Sequence, residues 1–145
     1  MTVVFDAEPL IAFAFDEPGA DIVEEWLTRV YDGDRAGYVS TITLAEFWYI
    51  AARNAAAEAA DAHINRLREM GLTEYAIDDL WQAASALKLD HAPSVGDAYA
   101  AAAAADLATE GEKVTLLVGA DADWEAFEDD PDFAPQIERF RTEAA

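Results

Sequence analysis

Towards the end of the chain, Val114-Thr115-Leu116-Leu117-Val118 runs apolar and β-branched without a break. A strand with one face in water alternates polar and apolar side chains, so a run without alternation reads as a strand buried on both faces. Thr2-Val3-Val4-Phe5 is a second such run, and Gly37-Tyr38-Val39-Ser40 a third, shorter one. A sheet covered on both faces needs helices on each side. The runs therefore predict a three-layer α/β/α domain around a short, mostly parallel sheet.

The intervening stretches supply those helices. Pro9 suits the first turn of a short apolar helix through Phe15, which Pro18-Gly19 breaks. Ile22, Val23, Trp26, Leu27 and Val30 recur at helical spacing until Asp32-Gly33. Leu44, Phe47, Trp48 and Ala51 mark a helix beginning at Thr43, and Ala60, His63, Ile64, Leu67 and Met70 another that stops at Gly71. Tyr75-Ala76-Ile77 is a further strand candidate, and Leu80, Trp81, Ala84 and Leu87 form the next helix face. Pro93-Ser94 opens a helix that runs through the alanine tract to Gly111, and Gln136 to Phe140 reads as an edge strand or a final helical turn. A chain of 145 residues with one texture throughout is expected to form a single domain, 1–145.

The absence of cysteine excludes disulfides, thiolate zinc sites and cysteine nucleophiles. The longest stretch free of charge, Ala36 to Ala45, is too short to span a bilayer. Met-Thr-Val-Val-Phe-Asp has no basic region of the kind that opens a signal peptide, so a cytoplasmic location is expected. Thirty acids against nine bases give a net charge of −21, spread along the chain. Such a domain repels itself at low salt, and the repulsion collapses once the screening length falls to about 3 Å near 1 M salt. With Arg outnumbering Lys seven to two and alanine abundant, the composition is that expected of a halophilic protein working in molar salt. In that setting a negative net charge is a weak objection to a nucleic-acid substrate.

Four acids fall at comparable places. Asp6 follows the first strand and Asp121 the strand ending at Val118, while Glu46 and Asp97 are expected in the first turns of helices. In open parallel sheets the carboxyl ends of strands and the starts of the following helices share one edge, where ligands bind. Carboxylates gathered there repel one another, and a hard divalent cation with oxygen ligands, Mg²⁺ or Mn²⁺, resolves the conflict. Such a site activates water and neutralises charge during attack on a phosphodiester. Simpler duties compete. Thr43-Leu44-Ala45-Glu46 and Ser94-Val95-Gly96-Asp97 both fit the helix capping box, which on pattern alone explains Glu46 and Asp97 better. Asp121 and Asp123 read equally as acids starting a short helix. Asp6, between Phe5 and Ala7, has few structural duties, and function is favoured there.

Taken in order, Val3-Val4-Phe5-Asp6, Ser40-Thr41-Ile42-Thr43-Leu44-Ala45-Glu46, Pro93-Ser94-Val95-Gly96-Asp97-Ala98-Tyr99 and Leu117-Val118-Gly119-Ala120-Asp121-Ala122-Asp123-Trp124 resemble the four acidic motifs of PIN-domain nucleases. Within that family the chain is similar to the compact toxins of VapC-type toxin–antitoxin pairs, over nearly its whole length. No single motif is specific; the four together are. The resemblance implies a metal-dependent endoribonuclease that hydrolyses RNA by metal-activated water. Asp6, Glu46, Asp97 and Asp121 would hold Mg²⁺ or Mn²⁺, with Asp123 as an accessory ligand. It also implies a homodimer and a cognate antitoxin protein that blocks the cleft. One departure stands out: the family usually has Ser or Thr after the first acid, where this chain has Ala7 and then Glu8. Glu8 either adds a fifth acid to the site or simply begins a helix, the latter being favoured.

Other features are weaker. Arg53, Arg66 and Arg68 are candidates for meeting phosphates, although a solvated helix surface explains them as well. His63 and His91 are expected to be packing or surface residues. Trp26, Trp48 and Trp81 are expected in the core, and Trp124 is open to packing or base stacking. A phosphatase of the haloacid-dehalogenase type would want an Asp where Glu8 stands and a lysine near the metal, and the chain has only Lys88 and Lys113. A PIN-like module that binds RNA or protein without cutting is the non-enzymatic alternative. The alanine-rich helix is a candidate dimer face.

Overall fold

The computed structural model describes residues 1–109 and 111–144. Its centre is a five-stranded sheet in the order β3-β2-β1-β4-β5, with every neighbouring pair parallel. The strands are β1 (Thr2–Phe5), β2 (Ala36–Ser40), β3 (Thr73–Tyr75), β4 (Val114–Val118) and β5 (Gln136–Arg139). Between β1 and β2 lie α1 (Ala7–Ala14) and α2 (Ala20–Tyr31); between β2 and β3, α3 (Thr41–Asn54) and α4 (Ala57–Glu69). Helices α5 (Trp81–His91) and α6 (Val95–Ala108) precede β4, and a 3-10 turn (Ala122–Trp124) with the short α7 (Glu125–Glu128) follows it.

Burial divides along the strands with a period of two, as the pleat requires. Val3 and Phe5 of β1, with Val39 and Leu117, pack under α1 to α4 against Leu10, Val23, Leu27 and Phe47. Val4 faces the other way with Val114, Leu116 and Val118, beneath Ala100, Ala101 and Ala104 of α6 and the rings of Trp124 and Phe127. Both faces are thus covered, which is why the strand sequences are continuously apolar. Alanine lets α6 lie close on the sheet, and any larger side chain at these fully buried positions would overpack the interface. The alanine face is therefore used inside the domain, which corrects its reading as a dimer face.

Other expectations shift in detail. β3 begins at Thr73, two residues before the strand expected from Tyr75, because its register is set by pairing with Tyr38, Val39 and Ser40 of β2. The 136–140 segment is an edge strand, paired in parallel with β4. Trp48 and Trp81 are not core residues: they are 37% and 58% exposed. The fully buried tryptophan is Trp124, 5.3 Å from the Phe127 ring. His63 packs between Phe15 and Phe47, and His91 stacks on Phe127 while bonding to Asp130. Among the described residues no helix is long and apolar enough to cross a membrane.

In this strand order the chain leaves β1 towards β2 on one side and returns to pair β4 on the other. The crevice outside the carboxyl ends of β1 and β4 is the topological switch point, where open α/β sheets bind their ligands.

Candidate metal centre

Asp6 leaves the end of β1 at the switch point. Its amide donates to Leu117 O at 3.0 Å, which continues the pairing with β4. It stands at the N-cap position of α1 yet makes no side-chain capping bond, and it is only 5% exposed. Burial is the chief cause that pushes its carboxyl up to about 7, with Glu46, Glu8 and Asp121 adding charge repulsion and the Ala7 amide pulling back.

Glu46 is not in a first helical turn, as the motif suggested. Helix α3 begins at Thr41 and is capped by Ser40, whose Oγ accepts from the Thr43 amide at 3.1 Å. The capping box expected at Thr43 is therefore not formed, and Glu46, one turn further on, lines the cleft with Asp6, Asp97 and Asp121. Its carboxylate lies over the backbone of Gly96, so close that a β-carbon there would overlap it. Burial raises the Glu46 carboxyl above its usual range.

At the start of α6 half of a capping box is present. Ser94 Oγ accepts from the Asp97 amide at 3.2 Å, but the Ser94 amide donates to Asp123 Oδ2, at 2.9 Å, and not to Asp97. That substitution frees Asp97 from capping. Its side chain is buried, 6% exposed, and Oδ2 has no hydrogen-bond partner. Burial, with repulsion from Asp6 and a proton-sharing contact with Asp123, pushes the Asp97 carboxyl up to about 9. Asp121, exposed beyond β4, caps the 3-10 turn by accepting from the Asp123 amide at 2.9 Å, so the simple helix-start duty is real for this residue. It leaves carboxylate capacity over: ligand oxygens of Asp97, Asp121 and Asp123 all lie within 4.8 Å of one another.

These residues fit a divalent metal. A buried carboxylate oxygen without a partner is costly unless something positive meets it. Asp97 carries such an oxygen, carboxylate oxygens of Asp121 and Asp123 lie beside its side chain, and a set of oxygen-only donors suits a hard divalent cation better than zinc or copper. Asp6 and Glu46 border the same cleft, so the chain brings all five predicted acids to one place.

Glu8, weighed above as a fifth site acid or a helix start, is in place as both, and the two arginines in this neighbourhood, Arg139 and Arg141, were not singled out by sequence spacing. Glu8 occupies the first turn of α1 and lines the cleft, but its Oε2 accepts from the Ala120 amide at 3.0 Å and pairs with Arg141 Nε at 3.0 Å. Arg139 donates to Gly119 O at 2.7 Å and to Asp121 O at 3.1 Å while pairing with Glu128. The signal was an Arg-x-Arg pair, a strand's same-face spacing, in a chain with few bases. The three arginines weighed for phosphate contact do not line the cleft. Arg53 lies over Tyr49, Arg66 over Phe13, and Arg68 pairs with Glu74 at 2.7 Å. Nor is the haloacid-dehalogenase arrangement built, since Glu8 is already bonded and Lys88 donates to Pro93 O.

Comparison with known proteins agrees with this architecture. No curated protein matches the sequence. The structure is similar to a chain of VapBC2 from Rickettsia felis, solved bound to a DNA fragment from their promoter, with a TM-score of 0.72 and 15% identity over 96% of this chain and 98% of that one. At that identity the likeness speaks for the fold. Residues 3–129, most of the chain, match the PIN domain, and the chain belongs to the PIN-domain family.

Proposed function

We propose that the chain is a Mg²⁺- or Mn²⁺-dependent endoribonuclease and the toxin half of a toxin–antitoxin pair. The observation that carries this reading is Asp97, whose buried Oδ2 has no partner and whose carboxylate lies with those of Asp121 and Asp123, beside a cleft that Asp6 and Glu46 also line. Asp6, Glu46, Asp97 and Asp121 would hold the metal, with Asp123 as an accessory. A bound divalent ion supplies water activation and charge neutralisation at a phosphodiester. The chain's own part is positional. Ser94 and Asp123 fix the start of α6 and aim Asp97 inward; Gly96 leaves room for Glu46; the switch point places Asp6 opposite Asp121. Burial raises the Asp6 and Asp97 carboxyls, so a metal held there would displace protons from them.

Membership of the PIN family and the resemblance to VapBC2 in fold support a toxin that pairs with a cognate antitoxin and, as the compact members do, forms a homodimer. Its substrate is RNA, cut to leave a 5′-phosphate and a 3′-hydroxyl. The molar-salt cytoplasm inferred from composition is its setting.

The test is incubation of pure protein with total cellular RNA in molar KCl, with Mg²⁺ or Mn²⁺, an EDTA control, and Asp6→Ala and Asp97→Asn variants. Metal-dependent cutting that both variants lose, with folds intact by circular dichroism, is the expected result. Unchanged cutting in Asp97→Asn removes that residue from the mechanism. Metal binding by a folded parent that cuts nothing transfers the reading to the non-catalytic binding module.

A further inference from the structure

Taking the cleft as the divalent-cation nuclease site argued above, we propose that Arg141, acting through Glu8, is a positioning residue for the loop that carries Asp121. The loop Gly119-Ala120-Asp121 is held from below by three bonds. Glu8 Oε2 accepts the Ala120 amide at 3.0 Å, and Arg139 Nη1 donates to Gly119 O at 2.7 Å and to Asp121 O at 3.1 Å. The Glu8 carboxylate lies over Gly119 so closely that a β-carbon there would overlap it.

Glu8 alone would be a poor anchor. It lines the same cleft as Asp6, Glu46 and Asp121, and a carboxylate among like charges turns towards solvent unless a cation holds it. Arg141 prevents this. Its Nε pairs with the same Glu8 oxygen at 3.0 Å, Nη2 with Glu17 Oε1 at 3.2 Å, and Nη1 donates to Pro18 O at 3.1 Å. The guanidinium side chain is only 10% exposed and each of its nitrogens already has a protein acceptor, so it holds the loop rather than a substrate phosphate. Its five donors in a fixed fork suit this role, which a lysine's point charge would fill only in part.

Two facts set this clamp apart from the acidic motifs. Arg139 and Arg141 lie beyond residue 129, where the match to the PIN domain ends. They also make three of the six ion pairs found among the described residues, in a chain with only nine basic side chains. Arg139 stands behind the Asp121 loop, and Arg141 borders the cleft with its nitrogens already bonded to Glu8, Glu17 and Pro18.

The experiment is Mn²⁺ titration by calorimetry in molar KCl, paired with RNA-cleavage kinetics at saturating Mn²⁺. The proteins are the parent chain, Arg141→Ala, Arg141→Lys, Glu8→Ala and the Arg141→Ala/Glu8→Ala double variant. Supporting residues of metal ligands typically carry tenfold to hundredfold in affinity, so Arg141→Ala and Glu8→Ala should each weaken Mn²⁺ binding by about that factor. The double variant should lose no more than the worse single one, since both act through one contact. Arg141→Lys should recover part of the loss. RNA KM at saturating Mn²⁺ should stay at the parent value. An unchanged Mn²⁺ affinity in folded Arg141→Ala overturns the proposal, and so does a raised RNA KM at saturating metal, which would mean that Arg141 grips RNA. If Arg141→Ala does not fold, Arg141→Lys and Glu8→Gln decide: parental Mn²⁺ affinity in both overturns the clamp, and weakened binding supports it. A parent that binds Mn²⁺ without cutting RNA, with the variants still weakened, supports the clamp and overturns only the nuclease reading. A parent that binds no Mn²⁺ overturns both.

Discussion

Replacing Gly96 by alanine should separate stability from function. Gly96 is the second residue of α6, and alanine in a helix is favoured over glycine by up to about 1 kcal/mol, less in a first turn. For a domain of this size that corresponds to a Tm rise of at most roughly 4 °C. Against it stands the Glu46 carboxylate, whose Cδ would lie 2.5 Å from the new β-carbon. Glu46 is the far end of a flexible side chain already penalised by burial, so it will rotate towards solvent rather than strain the helix. The expected product is a protein whose Tm is unchanged or slightly raised but whose site has lost one carboxylate. Its Mn²⁺ affinity should fall at least about tenfold, or about 1.4 kcal/mol, and RNA cleavage should fall with it. Thermal melts by circular dichroism and Mn²⁺ calorimetry, both in molar KCl with Glu46→Gln as a control, give the two readouts. Parental metal affinity and cleavage at an unchanged Tm would refute the reasoning. A Tm drop of several degrees would also refute it, because the backbone would then have yielded instead of Glu46.

Two further outcomes follow from charge. Asp6 and Asp97 are raised to about 7 and about 9 by burial, so above pH ~4 the metal-free folded chain binds more protons than the unfolded chain. Stability in EDTA should therefore decline as pH rises from about 5 through 9, while Mn²⁺ binding tightens with pH and releases protons. Melts across pH, and calorimetry in buffers of different ionisation enthalpy, check both signs; a Tm that climbs with pH would contradict the buried-acid account. The net charge of −21 predicts that Tm rises steeply between about 0.05 and 2 M KCl as screening sets in, and a flat salt profile would discount the halophilic reading.

Local pattern exposed much of the fold. β1 and β4 were legible because burial on both faces leaves no alternation, and α2 because its apolar stripe is bounded by Gly19 and Asp32-Gly33. β3 was displaced because Thr73-Glu74-Tyr75 is largely exposed and short, so nothing in its own composition marks it as a strand. The tryptophans misled for a related reason. Helical spacing identifies a stripe but not whether anything covers it, and Trp81 is left 58% exposed, whereas Trp124 is packed under the sheet with Phe127.

The site divides in the same way. An acid after each buried strand, at Asp6 and Asp121, is a local property, and the parallel sheet it implies dictates that both meet at one edge. Which hydroxyl caps α3 is not local. Ser40 and Thr43 are both suitable, and the choice falls to Ser40 because β2 ends there, which frees Glu46 for the cleft. The Asp123 bond to Ser94, which frees Asp97, joins residues 29 apart, and the Glu8 bonds to Ala120 and Arg141 join residues 112 and 133 apart. The sequence alone determined the layers, the sheet edge and the stock of carboxylates, because strand burial and helix periodicity act between near neighbours. Long-range packing sets how much of each carboxylate is taken up: Glu8 by an amide and an arginine, Asp121 and Asp123 by one amide each, and Asp97 Oδ2 by nothing. A carboxylate's partner is set by what packing brings within 3 Å of it, and chain spacing carries no record of that.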